Sequence, residues 1–516
     1  MTTEPAGSPR SLTPPAGGLT VRMYRQGLGD CFLLAFAGDA EDAASYVLID
    51  CGVHGAQKDG RKVLAAAIEN LVAATGGRLD AVVATHEHTD HLSGFVQGAA
   101  DFLGDEFEIG ELWLAWTEND GDPLAQRLRE GRSAAARAVT EALEKLKRKS
   151  AGARSGLAVT KIAGFTGFFE TDDRDRGARR AAAERLGVRD PDKVTGNELA
   201  LALLRERAGR VRYFRPGGAP VAIPGVRSSR AYVLGPPRDE KLNKKSDPSR
   251  GPRSEVYFAS RPGVLSFVAA LQPGNSGEGP ADQVLEELSF PFDRQHRLQL
   301  GQGLRRKFFR DRYGDAEQDW RRIDDDWLYS AETLALHLDS DTNNTSLALA
   351  FEFGAPGSGR VLLFPGDAQV GNWLSWKDVS WRVGGKKVKA EDLLRRTALY
   401  KVSHHASHNG TVKRDAEEKP FGLELMPDDL LAMIPVDREA AGKLRGWDMP
   451  YGKLYDVLKE KSSGNVLRSD DLDPDLAPVP LEESTVPGLP DVSWRRSREN
   501  KPDGHSLYYD VTFTAE

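Results

Sequence analysis

Residues 81–95 read AVVATHEHTDHLSGF, and the rest of the chain is best understood outward from them. Ala81, Val82, Val83 and Ala84 make a short run of small and branched apolar residues, the pattern of a buried strand. The run stops where His86, His88, Asp90 and His91 begin. In an extended or turning loop His86 and His88 project to one side, and Asp90 and His91 fall one turn further on, where a helix can start. One short segment thus offers half the ligands for two neighbouring ions. Imidazole nitrogen with carboxylate oxygen suits Zn²⁺, and also Mn²⁺ or Fe²⁺. The bland alternative is a polar loop whose histidines pair only with backbone, and so many donors in so short a span weigh against it.

Upstream, Leu19 to Phe36 reads as two strands joined by a glycine turn, Gly27-Leu28-Gly29-Asp30. Ser45 to Ile49 is a third strand ending in Asp50-Cys51-Gly52, where glycine permits a tight exit and Asp50 organises neighbouring loops rather than binding metal. From Arg61 to Ala74, residues Val63, Leu64, Ala67, Ile68, Leu71 and Val72 share one helical face, with Gly76-Gly77 as the stop. Strand, helix and buried strand form an α/β unit, so the histidine loop lies at the carboxyl end of a strand, where ligands collect in such sheets. A short helix from Leu92 to Leu103 and a strand from Ile109 to Trp116 follow.

The pattern H-x-H-x-D-H after a short buried strand resembles the signature of the metallo-β-lactamase superfamily. The resemblance implies an α/β fold, the αββα metallo-β-lactamase sandwich, with one or two metals at the sheet edge. Two later stretches extend it. The strand Arg360–Phe364 ends in Pro365-Gly366-Asp367-Ala368, and Asp367 resembles the superfamily's bridging aspartate. Residues 400–409, YKVSHHASHN, again deliver imidazoles from a strand end and resemble the K-V-x-H-H-G-S stretch of the ComEC-type branch, the nuclease domain of DNA-uptake proteins and their soluble relatives. Ala406 stands where that branch has glycine. His404, nearest the strand end, is read as the second-metal ligand and His405 as its neighbour or a proton donor, with an exchange of the two left open.

The implied centre holds two divalent ions, Zn or Mn, on His86, His88, Asp90, His91, Asp367 and His404. Asp90 and His405 are the expected catalytic residues, and Asn344 and His408 the expected substrate contacts. Many superfamily members carry another histidine before the Gly-Asp turn. Here Thr342-Asn343-Asn344 occupies that place, leaving Asn344 as a stand-in oxygen ligand or donor and His337 as the nearest imidazole in sequence. Trp447-Asp448-Met449-Pro450-Tyr451-Gly452 replaces the branch's Y-G-H-P, so no substrate-side histidine is expected there.

With 516 residues, 40% hydrophobic and 28% charged, the chain can bury a substantial core. Lys plus Arg total 70 against 77 Asp plus Glu, a net charge of −7, so no global basic field recommends a nucleic-acid partner and any such contact must be local. Two cysteines, Cys31 and Cys51, exclude a disulfide scaffold and fit a reducing compartment. No run approaches the ~20 apolar residues of a membrane span. Residues 1–19 read as a disordered tail without a signal-peptide core, and a cytoplasmic location is expected. Residues 20–516 are expected to be one metallo-β-lactamase-like domain with two insertions, a mostly helical one at 119–208 and an irregular one at 240–328. Five tryptophans, Trp320, Trp327, Trp373, Trp376 and Trp381, cluster in sequence, with core packing the expected use.

The function these readings imply is metal-dependent hydrolysis, most plausibly of a phosphodiester such as nucleic acid, through water whose pKa falls from about 15.7 toward ~7 on the cations. Hydrolysis of a small ester, lactone or thioester, and a catalytically weak metal-binding scaffold, are the alternatives.

Overall fold

The computed structural model describes residues 11–40, 43–132, 176–188, 194–256, 300–313 and 340–515, apart from residues 56, 103, 105–106, 247, 250–253, 446, 471–472, 474–475, 477 and 502–503. Residues 133–175 of the expected 119–208 insertion, most of the 240–328 insertion, His337, Trp320 and Trp327 lie outside the described residues.

Eighteen strands appear among the described residues. The early ones are β1 (Leu19–Tyr24), β2 (Cys31–Ala37), β3 (Ala44–Cys51), β4 (Arg78–Ala84), β5 (Glu108–Ala115), β6 (Ala208–Phe214), β7 (Val221–Ile223) and β8 (Val226–Val233). They are followed by β9 (Leu349–Phe353), β10 (Arg360–Phe364), β11 (Ser380–Val383), β12 (Lys386–Lys389), β13 (Thr397–Lys401) and β14 (Leu431–Ile434). The last are β15 (Val466–Arg468), β16 (Ser484–Val486), β17 (Leu489–Arg496) and β18 (Tyr508–Phe513). A nine-stranded sheet has the order β16-β17-β18-β1-β2-β3-β4-β5-β6 and a seven-stranded sheet the order β15-β14-β13-β10-β9-β8-β7, with β11-β12 a separate hairpin. Strands β3 to β6 run parallel in the first sheet, as do β10, β13, β14 and β15 in the second.

Side-chain alternation along these strands makes the layers. In β2, Phe32, Leu34 and Phe36 face one core and Leu33 and Ala35 another; in β10, Leu362 and Phe364 divide in the same way from Val361 and Leu363. The shared core lies between the sheets, where Phe32 meets Phe364 edge-on at 5.5 Å. On the outer face of the first sheet pack α1 (Gly60–Thr75), α2 (Thr89–Gln97), α3 (Arg176–Arg185) and α4 (Gly196–Arg207). The outer core of the second sheet takes Val370 and Trp373, Leu393 and Leu394, and Leu454 and Leu458 from three further helices. This is the expected αββα sandwich.

Details differ from the sequence reading. Helix α4, assigned to the 119–208 insertion, buries Leu199, Ala200, Leu203 and Leu204 in the first sheet's helical layer. Its Thr195-x-x-Glu198 capping box fixes its start. Strands β16 and β17 had no counterpart in that reading, because their many polar residues hide the alternation. Trp373, Trp376 and Trp381 are buried in the core, as expected.

Contacts divide the chain into two compact units, 1–129 with 167–260 and 340–516, and 130–166 with 261–339. In the second, the described residues include the short helices Leu300–Gly303 and Lys307–Tyr313. All the site residues below belong to the first.

Candidate metal centre

Strand ends from both sheets converge on one edge. β3 delivers Asp50, β4 delivers Thr85 and His86, β10 delivers Asp367, and β13 delivers Lys401, His404 and His405. His88 is the N-cap of α2, which places Asp90 in that helix's first turn, where the positive end of the helix dipole favours a carboxylate. Two glycines permit the convergence. A Cβ on Gly52 would lie 2.4 Å from the carbonyl carbon of Asp90, and one on Gly366, whose φ is +59°, would press on Thr85 and Ser346 at 3.1 Å.

Hydrogen bonds aim the imidazoles. His91 Nδ1 lies 2.7 Å from Asp50 Oδ2, so its outer nitrogen carries the proton and Nε2 faces inward, 3.2 Å from Asp367 Oδ2 and 3.7 Å from Asp90 Oδ2. His405 is built alike. Its Nδ1 donates to the Pro435 carbonyl at 2.7 Å, and Nε2 lies 3.1 Å from Asp90 Oδ2 and 3.3 Å from Asp367 Oδ2. Asp50 also accepts from the Thr85 amide at 2.8 Å and hydroxyl at 2.7 Å, the organising role expected of it. With its one proton given to Asp50, Thr85 Oγ1 accepts from His86 Nδ1 at 3.0 Å, so His86 Nε2 carries no proton in the neutral ring. That nitrogen is 3.0 Å from His88 Nδ1.

The structure exchanges the two adjacent histidines of the second loop. Sequence reading set His404 at the centre, yet His405 is the one against Asp90 and Asp367. Residues His404, His405 and Ala406 all have positive φ, at 49°, 50° and 61°, and this twist throws neighbouring rings apart. His404 points its two nitrogens at the amides of Asn343 and Gln369, each at 3.3 Å. Asn344 is also not where a substrate contact requires it. It is buried, its oxygen accepts from the amides of Gln369 and Asn372 and its nitrogen donates to the Lys245 carbonyl. His408 is exposed and meets Tyr451 edge-on at 6.3 Å.

Two residues in the centre had no assigned role from sequence. Asp30, Asp367, His91 and His405 offer ligand atoms that all lie within 4.8 Å of one another. Lys401, also buried, sits 2.5 Å from Asp30 Oδ2 and 3.2 Å from Asp367 Oδ1. Both residues stand in stretches read above, the turn Gly27-Leu28-Gly29-Asp30 and YKVSHHASHN, and the only available signal was a charge placed at a strand end.

The residues fit a divalent cation on three counts. Nitrogen and oxygen atoms around an ion with bonds of about 2.1 Å are separated by about 3.4 Å in a tetrahedron. The His86–His88, His91–Asp367 and His405–Asp367 separations, 3.0, 3.2 and 3.3 Å, are close to that edge. Among the described residues, His91 Nε2 and Asp90 Oδ1 are buried without a hydrogen-bond partner; the close approach of His91 to Asp367 lacks hydrogen-bond geometry. Finally, four buried carboxylates, Asp30, Asp50, Asp90 and Asp367, face one buried ammonium, Lys401.

Without a cation, protons balance that charge. Burial pushes the His405 imidazolium down, but Asp367 and Asp90 outweigh it and raise its pKa to about 10. His91 is raised well above the usual range against the same burial cost, by Asp367, Asp50 and Asp90. His88 and His404 follow their burial instead, to about 3 and about 4. His86 is held well below its usual range by burial and by its neighbours His91 and His88. Asp367 stays ionised despite burial because His405, His91 and Lys401 surround it.

Residues 25–194 match the family model described as Metallo-beta-lactamase superfamily. The match shows a metallo-β-lactamase superfamily domain in residues 25–194, and the buried Asp30, His91, Asp367 and His405, the first two within that stretch, suggest a metal-dependent hydrolase. No curated protein matches the chain.

Proposed function

We propose that the chain is a phosphodiesterase of the ComEC-type branch, acting on nucleic acid or a related phosphodiester with two divalent cations. Asp90, His91, Asp367 and His405 would hold one cation, and His86 and His88 the other, with Asp367 between them. The reading is carried by the matched aim of His91 and His405, whose outer nitrogens are tied to oxygens while their inner nitrogens converge on Asp367. Asp367 also acts electrostatically on His86 and His88, so it serves both groups.

When bound, such cations supply Lewis acidity toward water and toward a phosphoryl oxygen. The protein's own part is orientation. Asp50 and Pro435 fix the tautomers of His91 and His405, and Thr85 relays Asp50 to His86. With His405 aimed at the cations, proton delivery to the leaving group falls to a side chain nearer solvent, for which exposed His408 is our candidate. The stretch KVSHHAS, which resembles the branch's K-V-x-H-H-G-S, supports the branch and hence the phosphodiester substrate.

The test is turnover after loading with Mn²⁺ or Zn²⁺, on bis(p-nitrophenyl) phosphate and single-stranded DNA, beside lactone, thioester and β-lactam substrates. Phosphodiester cleavage that falls by at least about 100-fold in His88→Ala and Asp367→Asn supports the proposal. Cleavage confined to the other substrates, or unchanged in these variants, would refute it.

A further inference from the structure

We infer that Lys401 and Asp30 form an internal counter-ion pair that sets the charge of the cation centre and leaves Asp367 one oxygen, Oδ2, for cations. The inference rests on the cation-binding part of the reading above. It starts from the ammonium at the end of β13. Lys401 Nζ lies 2.5 Å from Asp30 Oδ2 and donates to the Gly366 carbonyl at 3.0 Å and to Asp367 Oδ1 at 3.2 Å. An ammonium has three N–H bonds, and three acceptors surround this one. Lys401 is therefore not a substrate-binding cation held in reserve; it is spent inside the protein.

Its position changes how the four-residue group is understood. Asp30, His91, Asp367 and His405 lie close enough together to be taken for one four-ligand site. But Asp30 Oδ2 is occupied by Lys401, and its Oδ1 is 3.7 Å from His405 Nδ1, the nitrogen already tied to Pro435. On the other side of the ring, His405 Nε2 meets Asp90 and Asp367 Oδ2. The inward nitrogens thus face Asp90 rather than Asp30. Asp30 neutralises Lys401, and Lys401 turns Asp367 so that Oδ1 is held and Oδ2 is presented.

The two charges have opposite effects on a cation, which gives the test its sign. Lys401→Met removes a positive charge and releases both Asp30 and Asp367 Oδ1, so cation binding tightens. Asp30→Asn leaves Lys401 less well neutralised, so binding weakens. For a unit charge a few ångströms from a divalent ion at an effective dielectric constant near 20, each change is at least about 10-fold. The double variant returns toward wild type. Isothermal titration of Mn²⁺ into the full chain at one pH reads all four proteins. The absorption band of Co²⁺ should also weaken in Lys401→Met as Asp30 joins the coordination shell.

Lys401→Gln, which keeps a donor but drops the charge, should move in the direction of Lys401→Met. If the Lys401 variants do not fold, Asp30→Asn decides the question through cobalt: binding should weaken with the Co²⁺ band unchanged, because no ligand has been lost, whereas a changed band would make Asp30 a ligand and overturn the inference. Weaker binding in all variants would mean a merely structural role and overturn the inference, as would unchanged or tighter binding in Asp30→Asn. Failure of wild type to take up Mn²⁺, Zn²⁺ or Co²⁺ would instead bring down the cation centre itself. A wild type that binds cations but cleaves no phosphodiester would refute the proposed substrate and leave the pair standing.

Discussion

At His91 and His405 one ring nitrogen is spent on an oxygen outside the centre so that the other can face in. For His91 that oxygen belongs to Asp50, which also holds Thr85 twice. An amide in place of the carboxylate loses the charge and one acceptor. Asp50→Asn should therefore weaken cation binding about 10- to 100-fold, as read by calorimetric titration, while Asp367→Asn should weaken it more. Protonation follows the same geometry. In the cation-free protein His405, faced by Asp90, Asp367, Asp30 and His91, is pushed up to about 10. A raised pKa means that the native state binds the extra proton more tightly than the unfolded chain, whose histidines titrate near 6.5. That contribution is fully present below about 6.5 and is lost as pH rises through about 10. His404 and His88, lowered to about 4 and about 3, act in reverse: their neutral forms contribute above about 6.5, and that contribution is lost as pH falls toward their native pKa values. Thermal melting of cation-free protein from pH 4 to 10 should thus peak near pH 6–7. Cation uptake should release protons and tighten with rising pH, seen as a buffer-dependent heat of binding.

The loop after β13 shows what an element can do that a residue list cannot. Three successive left-handed residues, His404, His405 and Ala406, cost about 1–2 kcal/mol each, and the surroundings hold them. Trp373 donates to the Gly410 carbonyl at 2.9 Å, Ser403 to the Ala368 carbonyl at 2.7 Å, and the Tyr451 amide to the Ala406 carbonyl at 2.9 Å. Distance from the strand end therefore misassigned the inward ring, because the twist reverses which neighbour faces the centre. The first histidine loop is braced from α4. Asn197 donates to the Glu87 carbonyl and accepts from the Thr89 hydroxyl, both at 3.2 Å. Asn197→Ala should destabilise the protein by about 1–2 kcal/mol in urea unfolding and loosen cation binding severalfold.

Across the whole molecule, the centre depends on two sheets pressed together. Their shared core is dominated by aromatic and branched side chains, with Phe364 packed edge-on against Phe32 and Phe351 at 5.5 and 5.9 Å. Phe364→Ala should cost about 3–5 kcal/mol, measured by chemical unfolding, and should lower cation affinity as well because Asp367 lies three residues beyond. The Leu347 amide bonds to the Thr85 carbonyl at 2.8 Å, fastening one sheet's histidine loop to the start of the other's β9.

The sequence by itself determined the layers and most of the chemistry. Continuous apolar runs in β2 and β10, an amphipathic α1, and the pattern from His86 to His91 are local properties, legible wherever short-range sterics and burial set the outcome. Only the tertiary structure decided that Asp30 and Lys401 enter the centre, that His405 replaces His404, and that Asn344 is consumed in packing. Each of those depends on which groups from distant strand ends come within a few ångströms, where the energies of charge and hydrogen bonding are large and no spacing along the chain records them.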